Sequence, residues 1–522
     1  MRAIDYFDKA AEAYGERTAI VDGAQEYSFR ETREISYRLA RAMWSKGMRG
    51  DERAAIYSPN VAGVLFALLG IMRSGAVWVP INYRNALEAN VEYMNYVEVS
   101  WLFYHSTFRD SVNRLVSLVP SLRRLVCLDS DREDHPFLKD FLDEGDGSTD
   151  LDWADPYGNP ERLVGLVPTG GTTGPARGVR VTNLAWGTMT EMGSHYWRCD
   201  DIEPVCLTTA PLSHAAGPVA FIMFALGARN VLLPRFDPLE VLRSIERFRV
   251  THIFLPPTAF YSLLSHSNVR SFDYSSLRLF LLAGSPVSPD KLRQGVQVFG
   301  PCICQCYGQT ESPMLLTWLS STTIAAAASG DHSERLRSCG KATSAVRLAA
   351  MDDEGRILSP NQVGEIVARG SLVTPGYYKM PEATAEIRTH GWHHTGDVGF
   401  VDDDGFFYIV DRKKDMIVTG GFNVYCAEVE AGIMALPQIL ECAVFGVPDD
   451  KWGEAVRAVL VLREGEALTE LQVINHCKQS LGGVKTPKSV EFRNEIPKTP
   501  AGKIDRKALR KPFWAGCDRQ VH

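Results

Sequence analysis

The residues best suited to chemistry stand in short polar runs. Thr169-Gly170-Gly171-Thr172-Thr173-Gly174 follows the apolar run from Leu163 to Val167. Its glycines let the backbone turn tightly and leave N–H groups facing outward. Its threonines add hydroxyl donors, and Arg177 and Arg180 bring positive charge close behind. That combination suits a polyphosphate. It is not the Walker loop, because G-x-x-x-x-G-K-[ST] does not occur. Taken alone, such a run describes a surface turn as well as an anion cradle.

Tyr307-Gly308-Gln309-Thr310-Glu311 closes a β-prone run. Tyr307 offers an aromatic face on which a base can stack, or is a core aromatic at a strand end. Thr310 and Glu311 put a hydroxyl and a carboxylate just beyond it, oxygen donors fit for phosphate and for Mg²⁺, a hard cation. Trp392-His393-His394-Thr395-Gly396-Asp397 ends in a carboxylate at a turn. Asp397 can accept from two ribose hydroxyls or make an Asx turn. Pro211-Leu212-Ser213-His214 places a histidine after an apolar strand, where a satisfied core imidazole is the commoner case. Pro497-Lys498-Thr499-Pro500-Ala501-Gly502-Lys503 ends on a lysine whose approach is stiffened by two prolines and freed by one glycine. Cys302, Cys304 and Cys306 alternate along a strand. Without a fourth ligand at zinc spacing they are expected to be packed core thiols.

Behind these runs the chain repeats strand, loop and helix. Val205–Ala210, Asn230–Pro234, Thr251–Leu255, Leu277–Ala283 and Pro301–Cys306 are expected strands, and Leu239–Arg247 and Pro289–Val298 are helices between them. This predicts an α/β fold of layered sheets with helices on both faces, which offers ligand sites beyond the carboxyl ends of the strands. The apolar runs from Val61 to Met72 and from Ala215 to Ala228 are too short to span a bilayer and read as buried helices.

After residue 330 the texture changes to short strands broken by Asp/Gly turns, namely Val346–Asp352, Gly364–Arg369 and Phe406–Val410. They predict a small antiparallel sheet or β-barrel-like subdomain. The charged knot Asp411-Arg412-Lys413-Lys414-Asp415 follows, and then a renewed β/α signal. The expected boundary lies there, dividing a large domain over 1–412 from a small α+β domain over 413–522.

Composition narrows the function classes. The 522 residues carry 56 Lys+Arg against 63 Asp+Glu, a net charge of −7, with 45% hydrophobic residues. This is the profile of a soluble multidomain protein, without the basic excess of a nucleic-acid binder. Eleven cysteines without a C-x-x-C pair predict reduced thiols in a cytoplasmic setting. The opening Met1-Arg2-Ala3-Ile4-Asp5 shows no apolar stretch of a signal peptide.

Taken in order, the glycine–threonine loop, the Pro211 and Tyr307 runs, the Trp392–Asp397 run, the charged knot and the Pro497–Lys503 run resemble the adenylate-forming superfamily. That superfamily comprises acyl- and aryl-CoA synthetases, peptide-synthetase adenylation domains and beetle luciferases. The resemblance spans residues 10–510. It implies an acid–thiol ligase that uses ATP and Mg²⁺ to make an acyl-AMP and then passes the acyl group to CoA. It implies that Thr169, Gly170, Gly171, Thr172, Thr173, Gly174 and Arg177 hold phosphate. Gly284, Ser285, Tyr307, Gly308, Gln309 and Thr310 form the adenine side, with Glu311 on the metal. Asp397 and Arg412 take the ribose. Lys414 is the hinge of a mobile C-terminal domain that brings Lys503 to the carboxylate and the α-phosphate, with Glu311 and Thr310 completing the catalytic set. His214 borders the acyl pocket and Gly421 the pantetheine tunnel.

Several positions depart from the family pattern. Gly170 replaces a serine, Pro175 stands one place early, and Arg177 replaces a lysine, a planar fork in place of a point charge. Phe422 and Cys426 replace a glutamate and a proline after the hinge. The apolar Ser312-Pro313-Met314-Leu315-Leu316 run predicts an uncharged fatty or aryl acid as substrate. Loading of a carrier protein in place of CoA, and a non-catalytic nucleotide-binding module, are the alternatives. A homodimer is compatible with the sequence.

Overall fold

The computed structural model describes residues 1–130, 135–145, 158–169, 176–199, 201–499 and 504–514. Gly170, Gly171, Thr172, Thr173, Gly174 and Lys503 therefore lie outside the described residues. By its contacts the chain divides into two compact units. One comprises the described residues of 1–169, 176–348 and 368–388, and the other those of 349–367 and 389–514.

The first unit is built on two sheets. In one, Ile303–Tyr307, Leu279–Leu282, His252–Leu255, Val205–Thr208, Arg229–Leu232 and Thr18–Asp22 are neighbours in that order and run parallel. Gln25–Ser28 and Thr317–Leu319 add antiparallel strands on either side. In the other, Arg124–Cys127, Val99–Tyr104, Arg53–Tyr57, Val77–Pro80 and Leu163–Pro168 are parallel, and Gly178–Thr182 returns antiparallel. Strands such as Leu279–Leu282 and His252–Leu255 are buried at every residue. Continuous apolar strands are what a parallel sheet covered on both faces requires.

Helices supply the cover. The apolar run at 61–72 forms helix Ala62–Ser74, buried at every residue, and the second run forms Ala216–Ala225. Each fully buried leucine or phenylalanine in them contributes about 2 kcal/mol. Helix Pro289–Phe299 begins with the Ser288 side chain accepting from the Lys291 N–H and with proline in its first turn. No helix among the described residues is long and apolar enough to cross a membrane.

The second unit contains most of the four strands Val346–Met351, Gly364–Gly370, His393–Val401 and Phe406–Arg412, neighbours in that order. They form an open sheet, so the small antiparallel sheet exists without closing into the barrel that was the other expectation. Beyond them a five-stranded sheet centres on the long hairpin Ile439–Asp449 and Gly453–Leu462. Helices Cys426–Met434 and Glu470–Lys485 pack with it around Val429, Ile433, Val444, Val456 and Val473.

Candidate active site

In the first unit the site residues collect at strand ends. The hairpin of Leu163–Pro168 and Gly178–Thr182 closes at Thr169, whose N–H donates to the Arg177 carbonyl (2.9 Å). The Thr169 hydroxyl accepts from the Arg177 N–H (3.2 Å). The same hairpin docks on the segment 374–378. The Thr374 hydroxyl donates to the Arg180 carbonyl (2.6 Å), and the Tyr378 N–H to the Gly178 carbonyl (2.8 Å).

That docking brings together three side chains distant in sequence. The Arg177 guanidinium lies over the Tyr377 ring, 5.1 Å from its centroid. The Tyr377 hydroxyl donates to Glu311 Oε1 (2.8 Å). The Glu311 carbonyl accepts from the Thr374 N–H (2.7 Å). Burial, together with the Glu311 charge, pushes the Tyr377 phenol well above its ordinary pKa, so it stays a proton donor to the carboxylate. Arg177, Tyr377 and Glu311 thus form one charged assembly, with Arg177 three residues past the 170–174 run in sequence. The Glu311 carboxylate and the Thr310 hydroxyl beside it in sequence are hard oxygen donors of the kind Mg²⁺ takes, so these residues fit that ion.

Tyr307 ends its strand half-buried against the core, and its carbonyl accepts from the Leu316 N–H (2.9 Å). The chain then folds back: Gln309 and Ser312 exchange backbone hydrogen bonds, and a Cβ on Gly308 would lie 2.5 Å from the Met314 backbone. Only glycine fits there. Gly284, at φ +97°, and Ser285 follow the neighbouring parallel strand and are exposed, with open space where a Cβ would sit on Gly284. A flat ligand can therefore approach that backbone. His214 is exposed just ahead of helix Ala216–Ala225, not the core imidazole that its setting suggested.

In the second unit Asp397 and Arg412 face each other across the antiparallel pair His393–Val401 and Phe406–Arg412. Arg412 Nε lies 3.0 Å from Asp397 Oδ1, with Asp397 buried and Arg412 half exposed. The preceding turn is tied down by Glu365. Its Oε1 accepts from the Gly396 N–H (3.0 Å), and its Oε2 meets His394 Nδ1 (3.0 Å) and Lys413 Nζ (3.2 Å). Burial pushes Glu365 up, but His394 and Lys413 more than offset it and hold it below the usual glutamate range. Lys414 is held below the ordinary lysine value by burial and by Arg412.

Gly420 and Gly421, both at positive φ, make the two-residue turn between Ile417–Thr419 and Phe422–Val424. Phe422 stands out from it, 60% exposed. Cys426 is buried. Its N–H donates to Asp411 Oδ2 and its thiol to the Asp415 carbonyl (3.0 Å). Cys302, Cys304 and Cys306 are buried, and burial pushes Cys302 and Cys306 up to about 12 and Cys304 well above its ordinary value. Neutral core thiols result.

Sequence reasoning missed Tyr377, Thr374 and Glu365. For Tyr377 the available signal was Gly376, at φ +126° and packed on Thr384, just before a tyrosine.

The AMP-binding enzyme family matches residues 7–378, and the AMP-binding enzyme C-terminal domain matches residues 428–503. The chain is 41% identical over 370 residues to the medium/long-chain-fatty-acid–CoA ligase FadD8 of Mycobacterium tuberculosis, an alignment covering 69% of this chain and 63% of that relative. It is 33% identical over 502 residues to feruloyl-CoA synthase of an Amycolatopsis species, covering 95% of this chain and 96% of that one. The crystal structure of ATP-bound MatB from Rhodopseudomonas palustris is similar with a TM-score of 0.87 at 26% identity, over 99% of each chain.

Proposed function

The chain belongs to the AMP-binding enzyme family, and from that premise we propose that it is an ATP-dependent acid–CoA ligase for an apolar fatty or aryl acid. In the first step a carboxylate oxygen of the acid attacks the α-phosphorus of ATP. The bond from that phosphorus to the bridging oxygen breaks, and pyrophosphate leaves. In the second step the CoA thiolate attacks the acyl carbonyl carbon and AMP leaves with the bonding pair.

Each residue contributes by position or charge. Thr169, Arg177 and the loop over 170–174 hold the phosphates. Bound at Glu311 with Thr310, Mg²⁺ supplies charge neutralisation on the phosphates. Tyr307, Gly308, Gln309, Gly284 and Ser285 border the adenine. Asp397 and Arg412 hold the ribose. Lys503 bridges the carboxylate and the α-phosphate, which is positioning and charge stabilisation with no proton transfer. The small domain, from residue 413 on, turns about Lys414, so that one site serves pyrophosphate release and thiol entry in succession. His214 lies on the acyl side and Gly421 beside the pantetheine. The reaction runs in the cytoplasm, with a monomer or a homodimer as the working unit.

The observation that carries this reading is the assembly of Arg177, Tyr377 and Glu311. A cation and a metal-ready carboxylate on one phenol are what a metal–polyphosphate needs. The buried Leu315 and Leu316 beyond Glu311 support an apolar acid, as do the fatty-acid and feruloyl relatives. The test is acid-dependent exchange of labelled pyrophosphate into ATP, followed by mass-spectrometric detection of acyl-CoA. Lys503→Ala is expected to slow exchange about 1,000-fold while thioester formation from supplied acyl-AMP changes little. No exchange across a broad panel of acids leaves a nucleotide-binding module. Exchange without acyl-CoA, but with acylation of a carrier protein, leaves the carrier-loading alternative.

A further inference from the structure

One buried carboxylate of the second unit has no place in the proposed reaction, although it stands beside residues that do. Glu365 lies on strand Gly364–Gly370 with its side chain 11% exposed. A carboxylate out of water is costly unless donors meet it, and a buried ion pair is often no more stabilising than an apolar pair of the same shape. What such a group supplies is geometry. Three donors converge on Glu365: the Gly396 N–H on Oε1, and His394 Nδ1 and Lys413 Nζ on Oε2. Glu365 is held below the usual glutamate range and so only accepts, which assigns the proton between it and the imidazole to His394 Nδ1. The other ring nitrogen, Nε2, lies 2.8 Å from the Thr389 hydroxyl oxygen.

The donors come from the two strands that carry Asp397 and Arg412. His394 and Gly396 belong to His393–Val401, and Lys413 directly follows Phe406–Arg412. The Gly396 carbonyl accepts from the Lys413 N–H (2.8 Å). The residue after Glu365 adds a second tie. The Ile366 carbonyl accepts from the Thr395 hydroxyl (2.6 Å), and that hydroxyl accepts from the Asp397 N–H (3.1 Å). Of the two peptide groups ahead of Asp397, Glu365 therefore holds the first, and Thr395 with the Lys413 backbone holds the second.

Gly396 is where such ties matter. It sits at φ +69°, and among the described residues nothing beyond its chain neighbours comes within 4 Å of the place a Cβ on it would take. Hydrogen bonds, not side-chain packing, fix this glycine. A glycine backbone has the widest choice of conformations, so a swing there is passed directly to the next side chain, the Asp397 carboxylate.

We propose that Glu365 is a positioning residue for the nucleotide sugar: by holding the Gly396 N–H together with His394 and Lys413, it aims the Asp397 carboxylate at the two ribose hydroxyls. This rests on the ribose role given to Asp397 above. Glu365 touches no substrate in this account; it acts through Asp397.

The test compares ATP with 2′,3′-dideoxy-ATP, which lacks both hydroxyls, in acid-dependent pyrophosphate exchange well below each variant's unfolding midpoint. For the unmutated chain kcat/KM is expected to favour ATP about 100-fold, the worth of two hydrogen bonds to a charged group. Glu365→Gln is expected to lower kcat/KM for ATP about 10-fold and that for the dideoxy nucleotide less than twofold, because only the hydroxyl contacts depend on the aim of Asp397. Glu365→Asp keeps the charge but is one methylene shorter, and the same selective loss is expected. In an Asp397→Asn chain, Glu365→Gln is expected to cost less than twofold with either nucleotide, since the group it positions is gone.

Equal fold losses with both nucleotides overturn the proposal, for they are the mark of a structural role. A preference for ATP that the folded Glu365 variants retain in full overturns it too. Where Glu365→Gln does not fold, Glu365→Asp decides. Absence of exchange by the unmutated chain sinks the ligase reading, and exchange by that chain with no preference between the nucleotides sinks the ribose role of Asp397; this proposal falls with either. A native preference left intact by the variants sinks this proposal alone.

Discussion

The two units hold their functional side chains by opposite means. In the first, Tyr307, Gly284 and Thr169 stand at the ends of strands whose apolar residues are buried, and His252 on one of the parallel strands is kept neutral. Burial holds it down at about 4, with Nε2 2.7 Å from the Trp197 carbonyl and Nδ1 2.6 Å from the Thr251 hydroxyl. In the second, ion pairs do the holding: Arg412 on Asp397, Lys413 on Glu365, Arg506 on Glu430 and Arg510 on Asp415. Apolar packing sets a platform that need not change. Charged forks set the shape of a small piece whose core is limited, and they fix it in a definite register.

The sharpest break of this contrast is chemical. Glu311→Gln removes the carboxylate on which the first unit's charged assembly depends, yet it leaves a side chain that still accepts from Tyr377. Adenylation is expected to fall about 1,000-fold, with an increased demand for Mg²⁺, while the unfolding midpoint stays put. A folded variant with near-native exchange would mean that the platform does not carry the metal.

Stability against pH tests the contrast next, because His252 in the first unit and Asp411 in the second should respond with opposite signs. His252 has a folded pKa below its unfolded value. The unfolded chain therefore binds the extra proton between pH 6.5 and about 4, and stability is lost as pH falls through that window. The loss amounts to about 3 kcal/mol at most. Asp411 is pushed up to about 6 by burial, against the pull of the Arg412 N–H and of Arg506, with Asp415 adding to the rise. Here the folded chain binds the extra proton, so stability is greatest below the unfolded value of 3.8 and declines as pH rises towards 6. That decline is about 2 kcal/mol after allowance for partial solvent access. Hydrogen exchange read on peptides around residues 252 and 411 between pH 4 and 6.5 checks both. The slopes should disappear in His252→Gln and Asp411→Asn respectively, and slopes of one sign around both residues would contradict the contrast.

What the sequence disclosed follows the same division. The apolar strands and the helices Ala62–Ser74 and Ala216–Ala225 were legible because burial on all sides leaves a continuous run of apolar letters. Gly308 was legible as a glycine that matters, though its reason, the returning backbone of Met314, was not. The charged knot was read as a boundary. It also holds the last residues of strand Phe406–Arg412, whose end the apolar pattern placed too early because Asp411 is buried on hydrogen bonds and not on apolar contact. Contacts such as Glu430 with Arg506, 76 residues apart, leave no local trace, since an ionic contact has no period.

The smallest effect concerns Tyr377, where the platform borrows the second unit's method. Tyr377 lies between a guanidinium and a carboxylate, so this charged assembly of the first unit hinges on a phenol. Tyr377→Phe keeps the ring under Arg177 and deletes only the hydroxyl that Glu311 accepts from. Losing one hydrogen bond to a charged group that water can partly replace costs about 1–2 kcal/mol. Adenylation is expected to fall about 5- to 30-fold, and the Mg²⁺ dependence to shift, because Glu311 loses the donor that orients it. Tyr377→Leu, which also removes the ring face from Arg177, should add a rise in KM for ATP. If both variants exchange pyrophosphate at the native rate, Glu311 is oriented by its backbone alone, and the site owes nothing to the Tyr377 hydroxyl or to its ring under Arg177.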